Sequence, residues 1–202
     1  MGGSYIQMDG GNSMLSERVI DILVCSQCRG NLIKIMPVAS LLPVLKCPKC
    51  GEWYPEIKNI FRFVEFDSYT NSFSFEWDKH KQSQLDSASG LNRAEEMFFE
   101  RTGFTKEEIK DKLILDAGCG IGRFTEIVQK YGGYVVGVDL SYSVDVAKRN
   151  VPDADTIQSD ILKLPFKEKS FDYVFSLGVI HHTSDTRKAF ECLARLVKPG
   201  GK

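Results

Sequence analysis

Short apolar runs alternate with amphipathic runs through the second half of the chain. Buried strands are predicted over residues 112–116, 134–139, 156–159 and 171–176, and amphipathic helices over residues 123–131, 141–150 and 186–197. Ser141 is a typical helix N-cap, and the proline and glycines at 199–201 would end the last helix. Strands that alternate with helices predict an α/β fold with a parallel sheet and right-handed crossovers.

The fourth predicted strand raises a question about the edge of this sheet. Only one helix follows it, and the chain ends at Lys202, where a doubly wound sheet would place its next strand. The fourth strand would then be an open apolar edge, which invites aggregation. We interpret this as a sheet truncated after its fourth strand, and pairing of the edge with another chain is the alternative.

The pattern divides the chain into four parts. The first part is Gly-rich and polar, the second holds paired cysteines between short apolar stretches, and the third is rich in polar and aromatic residues. We therefore predict a leader or tag over 1–13, a cysteine-rich domain over 14–65, a linker or lid segment with a helix over 66–112, and the α/β domain over 113–202.

Aromatic residues mark two places in the third part. Phe98 and Phe99 are expected on the apolar side of a helix that lies on the sheet, and Trp77 is expected in a lid over the ligand. A plain linker that packs on the domain is the alternative.

Composition narrows the function classes. The 202 residues carry 26 Lys and Arg against 27 Asp and Glu, which gives a formal net charge of -1. A balanced chain has no overall basic field to hold nucleic acid or an acidic membrane. Prolines interrupt the longest apolar run, residues 35–45, which is too short to span a bilayer. We predict a cytoplasmic protein.

Four of the six cysteines form two Cys-x-x-Cys pairs, Cys25 with Cys28 and Cys47 with Cys50, separated by eighteen residues. Each pair places two thiolates on one side of a tight turn, and two pairs supply the four sulfurs of a tetrahedral Zn²⁺ site. Because four cysteines leave no coordination position for water, the expected zinc is structural. A redox dithiol pair and two disulfides are the alternatives.

The surroundings of these pairs resemble a known family. The stretches are Ile22-Leu23-Val24-Cys25, the run 46–51 that ends Cys-Gly, and Trp53-Tyr54-Pro55. They resemble the small zinc-ribbon family that includes the activator subunit of tRNA and protein methyltransferases. The resemblance implies that residues 14–65 form a zinc-ribbon domain, in which the Tyr-Pro pair leads into a strand over 57–64.

A glycine-rich loop follows the first predicted strand. Gly118, Gly120 and Gly122 stand between that strand and the helix that begins at Arg123. Glycine allows a sharp turn and a close approach of ligand to backbone, and the helix N-terminus offers free N–H groups to an anion. The loop therefore predicts a nucleotide-like ligand.

Two aspartates follow later strands. Asp139 ends the second strand, where a carboxylate can accept both ribose hydroxyls, and Asp160 with Ile161 is placed to meet an adenine ring. A helix-capping role for Asp139 and a plain loop role for Asp160 are the alternatives. The nicotinamide fingerprint requires Gly or Ala where Arg123 stands, which favours S-adenosylmethionine over NAD.

Six segments in order closely resemble the class I S-adenosylmethionine-dependent methyltransferases, which have a Rossmann-like sheet. These segments are Leu115–Gly122, Val138–Asp139, Ser159–Asp160, Leu164–Phe166, Ser170–Asp172 and Leu196–Gly201. The resemblance implies that Asp116 and the glycine loop hold the methionine end of the cofactor, that Asp139 holds the ribose, and that Asp160 with Ile161 holds the adenine. The cofactor-binding residues predicted on this basis are Asp116, Gly118, Cys119, Gly120, Gly122, Asp139, Leu140, Asp160, Ile161 and Leu177.

Two histidines are the candidates for catalysis. His181 and His182 follow the fourth strand, at the carboxyl edge where ligands bind in open α/β sheets. Either could act as a general base for an acceptor that must lose a proton. The alternative is a capping or packing role. Cys119 and Cys192 are expected to be packing residues.

Three functions remain open at this point. The first is a methyltransferase that acts on a small molecule or a biosynthetic intermediate, with the zinc ribbon as a structural accessory. The second is an RNA methyltransferase whose ribbon reads RNA, although the basic residues of the ribbon are scattered. The third is a non-catalytic binding module, in which the ribbon docks a protein partner.

Overall fold

The computed structural model describes residues 15–35, 43–64 and 85–202. The predicted leader and Trp77 of the predicted lid lie outside these ranges. None of the helices in the described ranges is long and apolar enough to cross a membrane.

Eight strands and seven α-helices are found in the described ranges. The strands are β1 Ile33–Ile35, β2 Val44–Lys46, β3 Trp53–Ile57, β4 Ile60–Phe63, β5 Leu113–Ala117, β6 Tyr134–Asp139, β7 Asp155–Ser159 and β8 Tyr173–Phe175. The helices are α1 Glu17–Ile20, α2 Asp86–Ser89, α3 Arg93–Thr102, α4 Lys106–Ile109, α5 Arg123–Lys130, α6 Ser143–Asn150 and α7 Thr186–Ala194. The helix predicted from Ser141 begins two residues later.

All eight strands form one sheet in the order β1-β2-β3-β4-β7-β6-β5-β8. The strands from β4 to β8 in this order are parallel, and the pairs β1–β2, β2–β3 and β3–β4 are antiparallel. The predicted α/β fold with a Rossmann-like parallel sheet is therefore confirmed.

The region after the second cysteine pair differs from the expected single strand over 57–64. Tyr54 and Pro55 lie inside β3, and a tight turn at Lys58 and Asn59 leads into β4. Both turn residues have positive φ, 52° and 64°. Such a turn matches the twist of a hairpin, which is why the chain reverses here instead of continuing as one strand.

The hairpin connects the ribbon to the α/β half. Phe61, Arg62 and Phe63 of β4 pair in parallel with Ile157, Gln158 and Ser159 of β7. Apolar side chains from both halves, including Leu45 and Phe61 with Val136 and Ile157, form one buried cluster. The predicted zinc-ribbon and cofactor domains thus share a sheet and a core.

The first cysteine turn also contacts the α/β half directly. The amide of Val24 donates to the carbonyl oxygen of Pro165 at 2.9 Å, and the Arg29 guanidinium donates to the carbonyl oxygens of Leu164 and Phe166. These bonds hold the first turn against the segment that follows β7.

Helix α3 lies on the sheet, as expected for Phe98. The Phe98 ring is buried and lies edge-on to Phe175 of β8 and to Phe104, with centroid distances of 5.2 and 5.9 Å. The Phe99 ring is half-buried and lies edge-on to Tyr131. Aromatic packing therefore anchors this part of the predicted linker.

The outer side of β8 is partly paired with the end of the chain. Phe171 forms a bridge with Val197, and the amide of Val174 donates to the carbonyl oxygen of Lys202 at 2.9 Å. The amide of Lys202 in turn donates to the carbonyl oxygen of Asp172 at 3.1 Å. These bonds satisfy part of the edge that the sequence pattern predicted to be open.

Candidate functional site at the carboxyl edge of the sheet

The loop between β5 and α5 has the backbone that its glycines require. Gly118, Gly120 and Gly122 have φ values of +90°, +53° and +90°, in the left-handed region that other residues rarely adopt. A Cβ at Gly118 would lie 2.4 Å from both methyl carbons of Val179, which covers this end of the loop. Position 118 therefore requires glycine for two independent reasons.

Asp116, at the end of β5, is more enclosed than the sequence suggests. Its carboxylate is buried and accepts a hydrogen bond of 2.7 Å from the Thr125 hydroxyl on α5. Burial raises the pKa of Asp116 to about 7, and the nearby Asp139 carboxylate acts in the same direction. Thr125 carries no motif signal, because only the packing of α5 on β5 brings it here.

Asp139, at the end of β6, is bonded to the glycine loop. One carboxylate oxygen accepts from the Gly120 amide at 3.0 Å, and the other accepts from the Ser141 amide and hydroxyl at 2.9 and 2.8 Å. The Ser141 hydroxyl oxygen also accepts from the Ser143 amide, at the start of α6. The predicted ribose residue and the predicted loop thus form one bonded unit.

The predicted adenine residues lie at the end of β7. Asp160 accepts a hydrogen bond of 2.8 Å from the Leu162 amide and caps the short 3₁₀ turn Ile161–Lys163. Ile161 is buried, whereas the Leu140 side chain at the end of β6 is exposed. Asp139 and Asp160 therefore stand side by side at the carboxyl edge of neighbouring parallel strands, where open α/β sheets bind ligands.

A cleft of about 350 Å³ lies beside the predicted adenine position. Its lining comes from the first cysteine turn, β3, the end of β4 and the ends of β6 and β7: Ser26, Gln27, Glu52, Trp53, Tyr54, Pro55, Phe63, Val64, Leu140, Asp160 and Lys163. The ribbon thus supplies one wall. Gln27 and Lys163, which carry no sequence signal for a site, line this cleft, because only the fold brings the first cysteine turn to the end of β7.

Two residues of the predicted cofactor set have side chains that serve the core. The Cys119 thiol is buried, and its Sγ would lie 3.1 Å from a Cβ at Gly137 of β6. Leu177 packs against the cluster that contains Phe98 and Phe175. The backbone of Cys119 belongs to the loop, and its amide donates to the Val138 carbonyl oxygen at 2.9 Å.

The candidate catalytic histidines lie in a 3₁₀ turn after β8. His181 and His182 are exposed, with ring centroids 4.0 Å apart. Val179 of the same segment contacts the glycine loop, and the Ser176 hydroxyl donates to the Ala117 carbonyl oxygen at 2.7 Å. These contacts place the segment beside the predicted methionine end, and a catalytic role for either histidine stays a prediction.

The four paired cysteines come together as a candidate metal centre. Their sulfur atoms lie within 4.8 Å of one another, and the pairs Cys25–Cys50 and Cys28–Cys47 are each 3.5 Å apart. A tetrahedral site with Zn–S bonds of about 2.3 Å requires sulfurs about 3.8 Å apart, so the set fits Zn²⁺. The Tyr54 hydroxyl lies 3.1 Å from the Cys25 sulfur.

Two known families match separate parts of this chain. Residues 115–202 match the family described as a methyltransferase domain, and residues 16–58 match the family described as Trm112p-like protein. The chain therefore contains one segment similar to each of these two families. Both resemblances found in the sequence are confirmed, and S-adenosylmethionine is supported as the cofactor.

Individual relatives match about half of this chain. The ubiquinone biosynthesis O-methyltransferase of Coxiella burnetii is 34% identical over 99 residues, which cover 46% of this chain and 42% of the relative. Human probable tRNA methyltransferase 9B is 33% identical over 102 residues, 49% of this chain and 22% of the relative. The chain thus spans less than half the length of these curated relatives.

A solved structure resembles a larger part of this chain than these relatives do. A crystal structure from Methanococcus maripaludis, described as an S-adenosylmethionine-dependent methyltransferase, superposes with a TM-score of 0.53 over 68% of this chain and 64% of that chain. Because the two sequences are 18% identical, this likeness shows the fold alone.

Proposed function

We propose that this protein transfers a methyl group from S-adenosylmethionine to a small-molecule acceptor or biosynthetic intermediate. The observation that carries the proposal is the hydrogen bond between the glycine loop and Asp139. Asp160 lies beside this pair, at the carboxyl end of the neighbouring strand. Backbone N–H groups at the start of α5 suit a carboxylate, Asp139 suits the ribose, and Asp160 with Ile161 suits the adenine. The Coxiella relative, named for an O-methylation in ubiquinone biosynthesis, supports an acceptor of this kind.

The main task of the protein in this reaction is to align the acceptor with the methyl group of the cofactor. The cofactor supplies a methyl group on a sulfonium that already contains its leaving group, so transfer is an in-line displacement. Val179 and Ser176 flank the methionine end and would restrict water there, which favours alignment with the acceptor. His181 or His182 would accept the proton of a hydroxyl acceptor at an imidazole nitrogen.

The zinc ribbon has a structural role in this proposal. Cys25, Cys28, Cys47 and Cys50 would hold Zn²⁺ and so fix the first cysteine turn beside the cleft. A four-cysteine set leaves no position for a substrate oxygen, so no step of the transfer passes through the metal.

Calorimetric titration with S-adenosylhomocysteine tests the cofactor site. Wild type is expected to bind, and Asp139→Ala to bind at least about 30-fold more weakly, because a carboxylate bonded to both the loop and the ribose is removed. Asp153→Ala, an exposed aspartate in the turn before β7, is the matched control and should leave affinity unchanged. Failure of the wild type to bind would overturn the proposal.

A second candidate, RNA methylation, is favoured by one observation. Trp53 is 58% exposed at the cleft, and an exposed indole is a stacking surface for a base. The human relative, named as a tRNA methyltransferase, points the same way. RNA binding that weakens steeply between 50 and 200 mM salt and is lost in Trp53→Ala would favour this candidate. A protein partner for the ribbon stays a prediction.

A further inference from the structure

A buried arginine lies where the ribbon hairpin meets the α/β half. The Arg62 side chain on β4 is 3% exposed, and its guanidinium donates to Asp145 on α6 at 3.0 Å and to the Ile57 carbonyl oxygen at 3.1 Å. Lys58 lies 3.5 Å from the same Asp145 oxygen. A charge at this depth requires such partners, because burial removes its hydration.

The third bond of this guanidinium leads toward the cofactor site. Arg62 donates from Nη1 to the side-chain oxygen of Gln158 on β7 at 3.0 Å. The Gln158 amide nitrogen in turn donates to the Leu140 carbonyl oxygen at 2.8 Å. Since the guanidinium can only donate, the Gln158 oxygen must face Arg62 and its NH₂ group must face Leu140.

These contacts bracket one segment of the chain. Leu140 directly follows Asp139, the predicted ribose residue. Asp145 lies five residues after Leu140, in the first turn of α6. Arg62 thus holds the near end of the segment through Gln158 and the far end through Asp145. Gln158 and Asp145 are both buried, so water cannot replace these bonds at low cost.

We infer that Arg62, acting through Gln158, is a positioning residue for the Asp139–Leu140 turn, and that the ribbon hairpin thereby sets the affinity for the cofactor. The inference rests on the proposed function, since it assumes that the Asp139 carboxylate meets the cofactor. The partners of Arg62 described above, Ile57, Asp145 and Gln158, are not themselves predicted cofactor-binding residues. Its effect on binding passes through the Leu140 carbonyl, which holds Asp139 in register with the Gly120 amide.

Gln158→Met tests the inference, because methionine has a similar volume and neither hydrogen bond. In calorimetric titration of the zinc-loaded protein, we expect S-adenosylhomocysteine to bind about tenfold more weakly than to wild type. Ile157→Val on the same strand is the matched control, since it also loosens the buried core but leaves the bonds of Gln158 in place. Its affinity should equal that of the wild type at a temperature where both variants are folded.

Arg62→Lys is a second test, because lysine keeps the positive charge beside Asp145 but lacks the planar guanidinium with its several N–H donors. We expect its affinity to lie between those of wild type and Gln158→Met, and the double variant to bind no more weakly than Gln158→Met, because both act on one path. Equal affinity of wild type, Gln158→Met and Arg62→Lys would overturn the inference alone. A wild type that does not bind would instead overturn the proposed function.

Discussion

The glycine loop and the predicted zinc ribbon are two parts of the candidate site that are built in different ways. The loop places Gly118, Gly120 and Gly122 within five residues, and its shape follows from local backbone angles. The ribbon wall draws on the turn near Cys25, on β3 and on the end of β4, which meet through strand pairing and through the sulfur cluster. We therefore expect the loop to be sensitive to single atoms and the ribbon to be sensitive to the metal.

The largest expected effect is loss of the metal centre. Cys47→Ser should unfold the ribbon and lower the free energy of unfolding of the whole chain by more than about 4 kcal/mol, because both halves share one buried cluster. Thermal unfolding with and without a zinc chelator measures this. Cys192→Ser, a lone half-buried thiol on α7, is the control and should change little. Unchanged melting of Cys47→Ser would show that the metal centre does not stabilise the fold.

Gly118→Ala should have the next largest effect. Its Cβ would meet Val179 at 2.4 Å and its φ is +90°, so we expect a loss of about 2 to 4 kcal/mol and little binding of S-adenosylhomocysteine. Gly90→Ala has a φ of +67° with no neighbour within 4 Å, and it isolates the cost of the angle. If Gly118→Ala and Gly90→Ala cost the same, the contact with Val179 is unimportant.

The effect of pH on cofactor binding should be smaller than the effect of Gly118→Ala. Burial raises the pKa of Asp116 to about 7, so this carboxyl is increasingly protonated below pH 7 and ionised above it. If its carboxylate pairs with the amino group of the ligand, the affinity for S-adenosylhomocysteine falls as pH falls from about 7.5 to 5.5, by at most about tenfold per unit. Titrations at several pH values measure the slope. Asp116→Asn should remove it, and a slope that survives in this variant would assign it to another group.

The smallest effect is expected away from the site, in the middle segment. Glu95 on α3 accepts from Lys130 at 2.5 Å, from Tyr131 at 2.6 Å and from Lys106 at 3.0 Å. Burial alone would raise the pKa of Glu95, and these hydrogen bonds outweigh it and lower the pKa to about 2. Because the folded-state pKa is depressed, the stabilisation is present above about pH 4.5 and is lost as pH falls toward 2.

Glu95→Gln should therefore cost about 1 kcal/mol in urea unfolding at pH 7 and leave cofactor affinity unchanged. Glu100→Gln on the exposed side of α3 is the control. A changed affinity in Glu95→Gln would mean that α3 also positions the site.

Local signals in the sequence determined several features of this protein. The alternation of apolar and polar runs predicted every end of β5 to β8 to within two residues, and it predicted both ends of β6 without error. Paired cysteines predicted the sulfur cluster, and the glycines predicted a sharp loop, for which the structure shows positive φ at all three positions. Each of these signals depends on residues that are close in the chain, so spacing alone carries the information.

Only the tertiary structure decided how the two halves meet. Parallel pairing of β4 with β7, the burial of Asp116 against Thr125, and the path from Arg62 to Leu140 join residues that are far apart in the chain. No periodicity records which edge of a sheet a distant hairpin will cover, because that choice depends on side chains from both halves packing into one core. The sequence thus determined the parts of the candidate site, and the fold determined that the ribbon forms one wall of the cleft beside Leu140 and Asp160.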